Sequence, residues 1–194
     1  MCSWNEAYRR GDYLRHWDYR NPSQELVATV AALNLPTGSV ALDIGCGAGR
    51  EAIFLAKHGF RVYGVDFSRE ALKIARRRAA MAGVSVRWVC TDATRLPFPR
   101  ESVEFVNDRG CFHIIAENRR HRFAREVWRV MKPGAHMLLR GSCRSGRERF
   151  IPVTKKTIGE YFDSDHFSRG PVVPIRMVAD SGTLIANLVV LTRK

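Results

Sequence analysis

Val40-Ala-Leu-Asp-Ile-Gly-Cys-Gly-Ala-Gly-Arg50 joins two kinds of sequence. Val40 to Ile44 is a short run that is apolar apart from Asp43, and it stops at three alternate glycines, Gly45, Gly47 and Gly49. Glu51-Ala-Ile-Phe-Leu-Ala-Lys57 follows with helical spacing. A buried strand, a tight glycine turn and a helix form the opening unit of a nucleotide-binding α/β sheet. Glycine suits such a turn because no Cβ stands between the backbone and a ligand.

The spacing narrows the ligand. A dinucleotide-binding turn reads G-x-G-x-x-G, which brings a pyrophosphate onto the helix N-terminus. Here the turn reads G-x-G-x-G, with Arg50 in the sixth place. Asp43 stands two residues before the first glycine, where its carboxylate would repel a pyrophosphate and favour a cationic or zwitterionic ligand. Leu42-Asp-Ile-Gly-Cys-Gly-Ala-Gly49 resembles the first motif of the class I S-adenosylmethionine-dependent methyltransferases, whose cofactor carries a sulfonium and an amino acid but no phosphate.

The 194 residues, 45% hydrophobic and 26% charged, suit one globular domain with a sizeable core. No apolar run approaches the roughly 18 residues of a membrane-spanning helix. The N-terminus lacks a signal-peptide apolar region, and five cysteines occur with no C-x-x-C pair. A reduced, cytoplasmic setting is expected, with no membrane partner and no metal. The net charge of +13 is dense at Arg76-Arg-Arg78 and Arg119-Arg-His-Arg122, both in expected helices. A solvated surface and a nucleic-acid patch both explain it. The oligomeric state is not readable.

Along the chain, residues 1–37 are expected to form a helical extension ahead of a core over 38–194. Trp4 to Arg10 reads as a short helix, and Gly11 to Asn21 as a loop bearing Tyr13, Trp17 and Tyr19. Ser23 caps a second helix with Leu26, Val27, Val30 and Ala31 on its apolar face. The aromatics either pack on the core or form a lid, since an aromatic face attracts a cationic sulfonium. Strands are expected at 40–44, 61–66, 84–90, 102–107 and 135–140, with helices at 50–58, 117–131 and 154–162 and one capped by Ser68. Asp66 ends the second strand 21 residues after Gly45, where a carboxylate accepts from ribose hydroxyls or caps the next helix. Asp92 and the Ala93 N–H follow the third strand and are expected at an adenine, flanked by the apolar members of Leu96-Pro-Phe-Pro99. Residues 144–153 read as a polar surface loop. Residues 172–178 and 183–192 read as strands whose short link, Ala179-Asp-Ser-Gly182, demands an antiparallel hairpin.

That ending is similar to the class I methyltransferase pattern. The resemblance implies an α/β, Rossmann-like, mostly parallel seven-stranded sheet with helices on both faces and a C-terminal antiparallel hairpin. Trp4-Asn-Glu-Ala-Tyr8, Trp17-Asp18, Asn21-Pro-Ser23 and Asp108-Arg-Gly-Cys-Phe-His113 further resemble the small-molecule thiopurine, thiol and tellurite-resistance methyltransferases. It implies S-adenosylmethionine contacts from Trp17, Asp43, Gly45, Cys46, Gly47, Asp66, Phe67, Asp92, Ala93, Asp108 and Arg109.

The expected function is methyl transfer to a heteroatom of a small molecule, with a thiol or other soft nucleophile favoured because such acceptors need little base. A harder acceptor would draw on Asp108 or His113 as catalytic base, unless His113 is structural. Arg109 orients an anionic acceptor or pairs with an acid. Asn107-Asp-Arg-Gly110 lacks the Asn-Pro-Pro-aromatic signature of amino-methylating nucleic-acid enzymes. RNA methylation at another atom is the alternative. Metalloid methylation through Cys111 and Cys143, and cofactor binding without turnover, stay open beside it.

Overall fold

The computed structural model describes residues 4–18, 21–144, 151–179 and 182–194. Strand β1 (Val40–Ile44) lies at its centre. It pairs in parallel with β2 (Arg61–Asp66) on one side and β4 (Val103–Arg109) on the other, and β2 pairs with β3 (Arg87–Cys90). Beyond β4 come β5 (Met131–Ser142), in parallel, and β8 (Gly182–Arg193), antiparallel. The order β3-β2-β1-β4-β5-β8-β6 reverses direction between β1 and β4, so loops part there at the carboxyl ends of the strands.

The outer edge differs from expectation. A strand not foreseen, β6 (Phe167–Arg169), pairs with the last residues of β8, and β7 (Val173–Ala179) pairs with its first residues. The sheet therefore has eight strands among the described residues, with two sharing one edge of β8. Three residues carry too little periodicity to announce β6. The hairpin itself is as expected.

Helices cover both faces. Leu42, Ile44 and Val106 pack with Phe123, Val127 and Val130 of α6 (Glu117–Val130) and Ile158 of α7 (Lys155–Tyr161). Ala41, Val62 and Phe105 pack with Leu26 of α3 (Gln24–Leu33) and Leu55 of α4 (Arg50–Lys57). Neighbouring residues of β1 thus serve opposite cores, which is why that strand is nearly all apolar. Helix α5 (Arg69–Met81) buries Leu72, Ala75 and Ala79 and leaves its arginine face to water. Ser23 and Ser68 cap α3 and α5 by accepting from the N–H groups of Leu26 and Ala71.

Several local expectations need correction. Asp12–His16 forms helix α2, not a loop, following α1 (Trp4–Arg10) across Gly11; Tyr19 lies outside the described residues. Of the apolar face foreseen for α3, Leu26 is buried whereas Val27 and Ala31 are exposed. Strand β3 starts three residues late. Strand β4 extends through Asp108 and Arg109, and β5 begins at Met131 because an irregularity sets one residue of β4 against four of β5 and absorbs Lys132-Pro-Gly134. The expected surface loop at 144–153 ends in core residues, Ile151 and Val153; its stretch 145–150 lies outside the described residues.

Candidate functional site

A cavity of 830 Å³ opens at the carboxyl ends of β1 to β4. Its floor is the glycine turn, whose backbone bends through left-handed conformations at Gly47 (φ 53°) and Gly49 (φ 84°). A side chain at Gly49 would meet Trp88 and Ala75. A side chain at Gly47 would overlap the Tyr8 hydroxyl, so that glycine admits the N-terminal arm as well as any ligand.

Of the residues nominated from sequence, Trp17, Asp43, Gly45, Cys46, Gly47, Asp66, Phe67, Asp92, Ala93, Arg109 and His113 all border the cavity. Asp108 does not. It is fully buried, and its two carboxylate oxygens accept from the N–H groups of Cys111 (2.8 Å) and Phe112 (2.9 Å). It holds the turn after β4 in place rather than facing a ligand. Burial pushes its carboxyl up to about 7 against those two N–H donors. Leu96 and Phe98 also miss the cavity: Leu96 is in the core and Phe98 packs edge-on against Tyr63.

Asp66 bridges two elements. One oxygen accepts from Gly47 N–H at 2.8 Å and the other from Ser68 N–H at 2.7 Å. Burial raises its carboxyl despite these bonds. Each oxygen keeps a lone pair, so the two donors organise Asp66 without exhausting it. Asp92 holds Thr94 N–H and hydroxyl at 2.9 Å on one oxygen, and Arg119 from α6 pairs with the other. Burial would raise it, but Thr94 and Arg119 hold it below the usual carboxylate range.

Beneath the turn runs a buried polar chain that single motifs did not reveal. Asn107 donates to Asp43 Oδ1 at 2.6 Å and accepts from Arg140. Arg140 also donates to Glu51 Oε2 at 3.1 Å and to Ser23. Arg109 donates to Glu51 Oε1 at 2.7 Å. Burial would lift Glu51, yet the guanidiniums of Arg140 and Arg109 and the Ser23 N–H bring it down to about 2. Asp43 has the opposite fate: burial, then the charge of Glu51, push it up to about 7. Its Oδ2 is buried without a hydrogen-bond partner among the described residues. That oxygen lacks a donor in a residue that lines the cavity, as a site for a ligand's cationic group requires.

His113 is half of the base proposal made from sequence, and its geometry argues against it. Its Nδ1 accepts from Ser142 N–H at 2.9 Å, so the neutral ring carries its proton on Nε2. Burial lowers its pKa to about 4. The nitrogen able to take a proton is turned toward the backbone, and the ring is a donor, not a base. The thiols of Cys46 and Cys111 are pushed well above their ordinary range, by burial first and then by Asp66 and Asp108 respectively. Cys143 instead bonds the Ile185 carbonyl at 3.2 Å and does not line the cavity. The pair of thiolates that metalloid chemistry would need is therefore not assembled.

The N-terminal arm lines one side of the cavity through Trp4, Tyr8, His16, Trp17 and Asp18. Trp17 donates its indole N–H to the Tyr8 hydroxyl at 3.0 Å and stands edge-on to Trp4 at 5.4 Å. Asp18 fastens the arm between Arg78 (2.7 Å) and Arg50 (3.3 Å), and Asn5 accepts from Ser68 and Glu70 at the start of α5. The opposite wall is apolar, built by Ile114 and Ile115 after β4 and by Met177 and Leu184 of the hairpin.

Residues 41–134 match the family model described as a methyltransferase domain. The fold is the Rossmann-like fold of S-adenosylmethionine-dependent methyltransferases, a mostly parallel sheet closed by an antiparallel hairpin. The chain is similar to the S-adenosyl-L-methionine-dependent Diels-Alderase iccD of Talaromyces variabilis, with 35% identity over 55% of this chain and 37% of that protein. It is also similar to the demethylmenaquinone methyltransferase of Clavibacter sepedonicus, with 34% identity over 58% of this chain and 45% of that one. In fold it is similar to Burkholderia thailandensis 1,6-didemethyltoxoflavin-N1-methyltransferase, solved with S-adenosylhomocysteine: TM-score 0.75, 20% identity, 97% of this chain and 84% of that one. The chain spans under half the length of the first curated relatives it matches. Among the described residues, no helix is long and apolar enough to cross a membrane.

Proposed function

We propose that the protein is a cytoplasmic S-adenosylmethionine-dependent methyltransferase acting on a small molecule, with a thiol or other soft nucleophile as acceptor. One observation carries this reading. Asp43, whose buried Oδ2 has no donor among the described residues, lines the glycine-turn cavity, and its carboxylate fits a cationic ligand group better than a pyrophosphate. The remaining donors and acceptors fit the same cofactor: Asp66 keeps lone pairs for ribose hydroxyls, and Ala93 and Phe67 border the end where an adenine would lie. Of the proteins named above, one is S-adenosyl-L-methionine-dependent by name, one was solved with S-adenosylhomocysteine, and two are methyltransferases of small molecules by name.

When bound, the cofactor supplies a methyl group already activated by its sulfonium. The protein's part is alignment and the exclusion of water. The arm that carries Tyr8 and Trp17, fastened through Asp18, covers the transfer. Gly47 N–H and Ser68 N–H orient Asp66, and Asn107 orients Asp43. Neither side chain nominated as a base is placed to serve: Asp108 is turned inward and His113 presents a donor. An acceptor that ionises by itself, such as a thiol, suits this lack. The same fold serves cyclisation in a relative, so chemistry is decided by the site and not by the fold.

A screen with methyl-labelled cofactor tests the reading against thiols, phenols, amines and bulk RNA. Label in thiols ahead of the other classes is expected. Label in RNA at physiological salt, in preference to every small acceptor, would replace this assignment with RNA methylation.

A further inference from the structure

The cavity is lined by acids, by arginines paired with acids and by a group of apolar side chains, although the whole chain carries a net charge of +13. Among the described residues lining it, the three arginines are each paired with an acid of the protein, and His16 and His113 are the other basic side chains. Arg50 is with Asp18, Arg109 with Glu51 and Arg119 with Asp92. Arg109 is only 12% exposed in its side chain and points one arm into Glu51 at 2.7 Å. His113 adds no charge, because burial holds it neutral. An anionic acceptor would have to compete with a carboxylate of the protein for each arginine, and at the buried Arg109–Glu51 pair that competition is costly.

The wall itself comes from two elements. Ile114 and Ile115 close the turn after β4, and the β7–β8 hairpin brings Met177 and Leu184 directly opposite each other in register. Side chains opposite on paired strands share a face, so these two form one apolar surface. Leu184 is 40% exposed, and with Trp4 and Phe67 it belongs to the large apolar side chains that the fold leaves uncovered at this cavity. Exposed apolar groups gathered at one cavity signal a ligand that covers them.

We infer that the acceptor's body, apart from the atom that takes the methyl group, is uncharged and apolar, and that Met177 and Leu184 are the residues that select it. The inference rests on the methyltransfer reading for the word acceptor, and binding can test it without turnover. The probes are 1-hexanethiol and 6-mercaptohexanoate, which share a thiol and a chain and differ in a terminal carboxylate. Each is titrated into the full chain loaded with S-adenosylhomocysteine, followed by quenching of tryptophan fluorescence, since Trp4 and Trp17 line the cavity. Loading is first checked by calorimetry; failure to load speaks against the methyltransferase reading and leads to the same titrations on the unloaded chain.

Saturable binding of 1-hexanethiol, at least about tenfold tighter than 6-mercaptohexanoate, is expected. Leu184→Lys should reduce that preference by about tenfold while leaving S-adenosylhomocysteine affinity unchanged; Met177→Lys serves in its place if the first variant does not fold. Equal or better binding of the carboxylate, no saturable binding of 1-hexanethiol, or a preference untouched by the lysine overturns the inference.

Discussion

At the residue scale the account turns on carboxylates whose surroundings divide their roles. Asp43, at about 7, is largely protonated in slightly acidic solution, and a cationic ligand group requires it ionised. Cofactor binding therefore releases a proton below that value. Affinity should rise with pH from about 5.5 and level off above 7, and Asp43→Asn should flatten the profile; calorimetry across that range measures it. Glu51 has the reverse shift, down to about 2. Its contribution to stability is fully present above its ordinary 4.5 and is lost as pH falls through its folded value. Glu51→Ala, which strands two guanidiniums in a buried place, should cost about 3–5 kcal/mol in denaturant unfolding. Asp66→Ala should weaken the cofactor by about 1–3 kcal/mol. The sequence made Asp43, Asp66 and Asp92 legible because they stand within the first strand, at the end of the second and just past the third, in a recurring order. Glu51, Asn107 and Arg140 were not legible: they meet through distances of 33 to 89 residues along the chain, and no local pattern marks such a meeting. His113, nominated as a base, lines the cavity, but the direction of its Nδ1 depends on the Ser142 N–H of another strand, which no local pattern announces.

At the scale of elements, strong periodicity and caps made most helices and central strands readable. β1 and β2 match to the residue, and Ser23 and Ser68 cap where their chemistry says they should. The failures lie where tertiary contacts decide. Asp12–His16 is helical through docking of Tyr13 beside Tyr8, and β6 exists only by pairing with the end of β8. The N-terminal arm is the element with most bearing on turnover. Its latch is Asp18, whose carboxylate lies under two arginines; burial would raise it, and Arg78 and Arg50 hold it below its ordinary range. Deleting residues 1–20 should impair small-acceptor turnover more than folding, read by labelled transfer beside a thermal melt. Ser23→Ala has the opposite profile. It removes a helix cap and a partner of Arg140 and Glu51, and should lower stability by about 2 kcal/mol.

For the whole molecule, the charge of +13 and the cavity pull in different directions. The basic residues foreseen as helical do lie on helices, with Arg76 and Arg77 exposed on α5 and Arg119 and Arg122 exposed on α6. Affinity for RNA that rests on such charges should collapse between roughly 50 and 200 mM salt, because it depends on counterion release. Turnover of an acceptor with an uncharged body should change little over that range. A cavity lined by aromatic and apolar side chains suits a small molecule, whereas a nucleic-acid enzyme needs an open basic track. The measurement closest to the central claim is calorimetric titration of S-adenosylmethionine and of NAD into the wild type and Asp43→Asn, at pH 7.5 in physiological salt. The account predicts saturable binding of S-adenosylmethionine, weaker binding in the variant and none of NAD. Tight NAD binding, or S-adenosylmethionine affinity unchanged by Asp43→Asn, would contradict it.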